Sequence, residues 1–80
     1  MQTPEGWERN GEVITRTIER KDFVEALTLV NAIGELAENA NHHPDIDIRW
    51  NKVTLALTTH SEGGLTQKDV DLADQINALL

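Results

Sequence analysis

The sequence predicts an α+β fold: a four-stranded antiparallel sheet with two helices packed on one face, in the order β-β-α-β-β-α. Three observations predict it. Apolar residues alternate at period two over two separate pairs of segments, a short turn signal joins each pair, and a run with helical spacing follows each pair. Two hairpins joined in one antiparallel sheet, with both helices on a single face, bury every apolar stripe at once.

The elements follow in order. Asn10-Gly11 is a strong hairpin signal, because a type I′ turn needs positive φ at both central positions and these residues tolerate it. The turn sets Arg9 opposite Glu12 and Trp7 opposite Ile14, with Ile18 on the same face. Asp22 followed by Glu25 resembles an N-cap with its reciprocal partner, and Phe23, Ala26, Leu27, Val30, Ile33 and Ala37 recur at helical spacing. A helix of about 18 residues ending near Asn39–Asn41 is expected, since Pro44 forbids its continuation. Ile46, Ile48 and Trp50 then share one parity of a strand and Asp45, Asp47 and Arg49 the other. A turn at Asn51-Lys52 pairs Trp50 with Val53, Ile48 with Leu55 and Ile46 with Leu57. Gly63-Gly64 breaks the pattern. Thr66 and Asp69 open the second helix, whose apolar stripe is Val70, Ala73, Ile76 and Leu80, widened by Leu72 and Leu79.

Eighty residues predict one domain spanning 1–80. So short a chain has a marginal core, which makes association between copies an expectation. Seven Lys+Arg against fourteen Asp+Glu leave a net charge of −7, which repels phosphate backbones and anionic lipid, so neither nucleic acid nor membrane is an expected partner. Without cysteine there is no disulfide framework, no thiolate nucleophile and no Cys-type zinc site. Met1 to Arg9 lack the pattern of a targeting segment, and no stretch approaches the roughly 18 apolar residues of a membrane span. A cytoplasmic protein is expected.

The chemistry gathers around three histidines, His42, His43 and His60. The inferred register sets His43 opposite His60 if the ladder extends past Pro44, on the face turned away from the helices. Glu38 lies one helical turn before His42, where a carboxylate favours imidazolium and fixes the tautomer. Imidazoles ordinarily titrate near pH 6.5, so one can donate a proton while another accepts one. Other readings of the same residues are simpler. Adjacent histidines at a helix end can cap its carbonyls. Three histidines also suggest zinc, though adjacent ones chelate a single ion poorly. Asp69 is accounted for by the first turn of its helix, Trp7 and Trp50 by packing, and Gly63-Gly64 by a turn.

Glu38-Asn-Ala-Asn-His42-His43-Pro44, followed by Trp50, His60 and Asp69, resembles the signature of the pterin-4a-carbinolamine dehydratases. Trp7, Ile14-x-Arg16, Asp22-Phe23-x-x-Ala26, Asn51-Lys52-Val53, Thr59-His60 and Gly64-Leu65-Thr66 extend the resemblance over essentially the whole chain. It implies the same α+β fold and dehydration of 4a-hydroxytetrahydropterin to quinonoid dihydropterin in tetrahydrobiopterin recycling. No metal or cofactor is implied, since the pterin is the substrate. The expected assembly is a homodimer or homotetramer. The resemblance makes His42, His43 and His60 the catalytic set with Glu38 as the orienting carboxylate, and adds Asn41, Thr58, Thr59 and Ser61 to the substrate contacts. Two features depart from the family pattern. Only six residues precede Trp7, and two positions that are commonly aromatic are here Ile18 and Arg20. The principal alternative is a non-catalytic interaction or assembly module on the same fold; a zinc-dependent hydrolase ranks below both.

Overall fold

The chain, described over residues 1–80 by a computed structural model, forms β1 (Glu8–Asn10), β2 (Val13–Glu19), α1 (Phe23–Ala40), β3 (Asp45–Arg49), β4 (Lys52–Leu57) and α2 (Gln67–Asn77). A 3-10 turn at His60–Glu62 lies between β4 and α2. The strands make one antiparallel sheet in the order β1-β2-β4-β3. The α+β arrangement read from the sequence is the one observed, with the two hairpins joined through β2 and β4.

The core lies where those central strands meet the helices. Ile14 and Ile18 of β2 and Val53, Leu55 and Leu57 of β4 are buried against Ala26, Leu29 and Ile33 of α1 and Leu72, Ala73 and Ile76 of α2. Each fully buried Ile or Leu contributes about 2 kcal/mol of hydrophobic stabilisation. Trp7 closes one end of this core, its indole N–H donating to Asn77 Oδ1 at 2.9 Å. No helix is long and apolar enough to cross a membrane.

Both hairpins turn one residue away from the expected place. In the first, Asn10 pairs with Val13 and the loop is Gly11-Glu12, so Arg9 faces Ile14 rather than Glu12. Gly11 has φ +60° and supplies the single positive φ that a type II′ loop requires at its first position. In the second, Arg49 pairs with Lys52 and the loop is Trp50-Asn51, so Ile48 faces Val53 and Ile46 faces Leu55. Asn51 sets that register. Its side chain donates to the Arg20 carbonyl at 2.9 Å, and its own carbonyl accepts the Arg20 N–H at 2.8 Å. Each slip moves partners by two residues, so every side chain keeps its face.

Trp50 pays for this arrangement. It takes φ 54° in the loop and is 66% exposed, so it is not the packing residue its parity suggests. Phe23 and Leu27 of α1 are also exposed, and Leu29 takes the core position instead. Leu79 and Leu80 lie beyond the end of α2 and are likewise exposed.

Candidate active site

The end of α1 aims the first histidines. Asp22 caps the helix start, accepting the Glu25 N–H at 2.9 Å, and Asn41 ends it in the left-handed conformation at φ 49°, ψ 42°. The Asn41 N–H donates to the Glu38 carbonyl at 3.2 Å and the His42 N–H to the Ala37 carbonyl at 3.1 Å. These are the paired bonds of a Schellman motif. Backbone donors therefore cap these carbonyls, and both imidazole rings are released for other partners.

His42 turns to α2. Its Nε2 lies 2.5 Å from Oδ1 of Asp69, whose side chain is fully buried while that of His42 is 12% exposed. Asp69 also completes the capping box of α2: its Oδ2 accepts the Thr66 backbone N–H at 3.0 Å. The same oxygen accepts the Thr59 hydroxyl at 2.7 Å. A carboxylate has acceptor sites for all three donors, so one side chain starts the helix and holds the imidazole. The helix N-terminus favours the negative charge there.

His43 turns back to α1. Its Nε2 lies 2.5 Å from Glu38 Oε2, and both side chains are largely exposed. The partnership expected from sequence is thus redistributed: Glu38 holds His43, not His42. His43 does not face His60 across the sheet either. β3 begins only at Asp45, so the ladder never reaches the histidines and the period-two rule does not govern them. Both rings meet helix residues instead of pointing away from the helices.

His60 opens the 3-10 turn and is exposed. The neck of its loop is closed by Thr59 and Gly64, which exchange two backbone hydrogen bonds of 3.2 Å. His60 therefore follows directly on Thr59, a member of the Asp69 network, just as His43 follows His42. The antiparallel pairing of β3 with β4 brings the start of one and the end of the other to the same edge, and the Asp69 bonds join both to α2.

The remaining expected residues are placed as follows. Asn41 and Ser61 are exposed. Thr58 is half-buried and donates its hydroxyl to the Glu12 carbonyl at 2.7 Å. Thr59 is buried with its hydroxyl turned inward. Asp69 was assigned only a helix-start role from sequence, because a capping carboxylate looks the same whether or not its second oxygen has a use. The available signal is that Asp69 stands in the family signature beside the histidines, which a helix-start role does not by itself explain.

His43 and His60 stand on the surface, His42 is largely covered, and none of the three lines a hollow. A shallow volume of about 460 Å³ is lined by Asn31, Gly34, Glu35, Glu38 and Asn39 and reaches the site only at Glu38. No depression takes a wall from His42, His43 or His60. No group of three His, Cys, Asp or Glu side chains is arranged to hold a metal ion. Two imidazoles each held by a carboxylate can take and give protons to a molecule laid against this surface.

Comparison with known proteins gives a consistent result. A sequence model of the family described as "Pterin 4 alpha carbinolamine dehydratase" matches residues 1–79. A protein of Nocardia farcinica is 52% identical over 79 residues, covering 99% of this chain and 83% of the relative. One of Roseiflexus sp. is 56% identical over 75 residues, covering 94% and 81%. Both carry the name "Putative pterin-4-alpha-carbinolamine dehydratase". Among solved structures, a transcriptional coactivator/pterin dehydratase from Brucella melitensis superposes with a TM-score of 0.88 at 37% identity, covering 92% of this chain and 81% of that one. A pterin dehydratase-like protein described as a RuBisCO assembly factor in the alpha-carboxysome superposes with a TM-score of 0.74 at 16% identity, covering 91% and 84%, and shares the fold.

Proposed function

Because the chain belongs to the pterin 4 alpha carbinolamine dehydratase family, we propose that it is a lyase converting 4a-hydroxytetrahydropterin to quinonoid dihydropterin and water, in the recycling of tetrahydrobiopterin. The observation that carries this reading is the pair of consecutive imidazoles held by carboxylates, His42 by Asp69 and His43 by Glu38.

In this reading an imidazolium gives its proton to the 4a-hydroxyl, the C–O bond breaks, and water leaves. A neutral imidazole takes the proton of the ring N–H, and the freed electron pair forms the new double bond. One proton is given and one taken, so exchange with solvent restores the set. His60 joins His42 and His43 in this work, and Asn41, Thr58 and Ser61 complete the surface that receives the pterin, with the buried Thr59 behind it. The pterin is the substrate and no further cofactor enters the scheme. The exposed Ile46 and Trp50 at the β3 edge, with Phe23, Val24 and Leu27 on α1, supply apolar surface for a homodimer or homotetramer. A cytoplasmic location accords with this chemistry.

The fold alone does not select this activity, since a neighbour at 16% identity with the same architecture is described as an assembly factor. A non-catalytic interaction module is the competing reading. It requires nothing of the carboxylate-held histidines. The test is decay of generated 4a-hydroxytetrahydropterin in the presence of the protein: acceleration that is lost in His42→Ala and in His43→Ala supports the dehydratase. Turnover unchanged in both variants would remove these residues from the mechanism.

A further inference from the structure

We infer that Thr59 is a positioning residue for His42, acting through Asp69, and that Thr66 completes the chain by donating to the Thr59 oxygen. The kinetic part of this inference rests on the dehydratase reading; the geometric part does not.

Thr59 is 4% exposed, so its hydroxyl has no solvent to satisfy it. The oxygen lies 2.7 Å from Asp69 Oδ2 and 2.8 Å from Thr66 Oγ1. An ionised carboxylate only accepts, so the Thr59 proton points to Asp69. The Thr59 oxygen is then the acceptor, and the Thr66 hydroxyl donates to it. A one-way chain results: Thr66 to Thr59 to Oδ2 of Asp69, with Oδ1 left to accept the Nε2–H of His42 at 2.5 Å. The neutral imidazole is thereby held in the tautomer whose Nδ1 carries the lone pair.

Helix capping does not require this chain. The capping box needs the Thr66 N–H on Oδ2, which it has at 3.0 Å, and the Thr66 hydroxyl oxygen as acceptor for a first-turn backbone N–H; it needs nothing from Thr59. The second donor on that oxygen comes from a different element, the segment after β4. Its place there is fixed by the two backbone bonds between Thr59 and Gly64. Together the two donors pin the carboxylate plane and keep Oδ2 from rotating toward the imidazole. Charge-assisted bonds of this kind are about twice as strong as neutral ones.

The experiment compares Thr59→Val, which keeps the shape and removes the hydroxyl, with Thr59→Ser, which keeps the hydroxyl. Thr66→Gly is a second route, since glycine is a tolerable N-cap without a side-chain donor. Imidazole ¹⁵N and Nε2–H proton resonances report the tautomer of His42, and dehydratase kinetics report its use. The expected result is a single, sharp Nε2–H resonance in the parent protein and in Thr59→Ser, and a shifted, broadened one in Thr59→Val and Thr66→Gly as the carboxylate plane loosens. A loss in kcat of about tenfold with KM within twofold should accompany the loosened ring, equivalent to one hydrogen bond of positioning. Unaltered resonances in both Thr59→Val and Thr66→Gly overturn the inference, as does a Thr59→Ser protein impaired as much as Thr59→Val. A parent protein without turnover but with the tautomer held as described would refute the dehydratase reading and leave the positioning role standing.

Discussion

Asp69 is fully buried, yet one of its oxygens lies 2.5 Å from the ring of His42, twenty-seven residues away in the chain. The residue that starts α2 thus also holds a side chain released by the end of α1. Stability of the second helix and orientation of the histidine are tied to one carboxylate.

Asp69→Asn separates charge from shape. The amide oxygen must accept from Thr66 and Thr59, which turns the amide NH₂ toward His42 and forces Nε2 to become an acceptor. The neutral ring then carries its proton on Nδ1. Turnover should fall by about 10²-fold or more, the range of a lost acid–base group, as read by steady-state kinetics. Urea unfolding should show a loss of about 1–3 kcal/mol, because buried bonds to a charged group are weakened.

Glu38→Gln is expected to behave differently. Its bond to His43 is largely exposed, so unfolding free energy should change by less than about 0.5 kcal/mol. Turnover should fall less than in Asp69→Asn, since solvent can hydrogen-bond the freed ring. A larger kinetic loss than in Asp69→Asn would reverse the relative weight given to the two pairs.

Asn77→Ala addresses the far end of α2. Its side-chain oxygen accepts from Trp7 Nε1 at 2.9 Å and from Arg16 Nη1 at 2.7 Å, and its amide donates to the Glu5 carbonyl at 2.9 Å. Truncation leaves the indole N–H of a buried tryptophan without its partner. The urea midpoint should fall by an amount equivalent to about 1–3 kcal/mol, with turnover per folded molecule unchanged.

Trp50→Asn removes a large exposed side chain from a left-handed position that asparagine tolerates better. At concentrations where light scattering gives one chain per particle, unfolding should cost about 1 kcal/mol more than in the parent. At higher concentrations, where chains associate, a fall in stability together with a fall in particle mass would show that another copy covers the indole.

These contrasts show which parts of the molecule the sequence made readable. α1 was readable to within a residue because Asp22 and Pro44 bracket a strong period, and the sheet because alternation survives a two-residue slip. The turn positions were not. Gly11 needs positive φ at one position only, and the second loop is set by Asn51 binding Arg20, a contact between residues thirty-one apart. Residue chemistry and family resemblance single out the three histidines, and the structure links His42, through Asp69, to Thr59, the residue before His60. The partners of the histidines were not readable, because a Schellman turn rather than a strand directs His42 and His43, and the Asp69 and Thr59 contacts are long-range. Exposure of Trp50 was likewise hidden, since the register set by the Asn51–Arg20 contact moves Trp50 out of the strand and into the loop.

Stopped-flow decay of 4a-hydroxytetrahydropterin tests whether the carboxylate-held imidazoles proposed as the catalytic groups remove water from a pterin carbinolamine. Decay should quicken in proportion to protein concentration and return to the buffer rate when both His42 and His43 are replaced by alanine. Decay at the buffer rate with the folded parent protein would rule the dehydratase out.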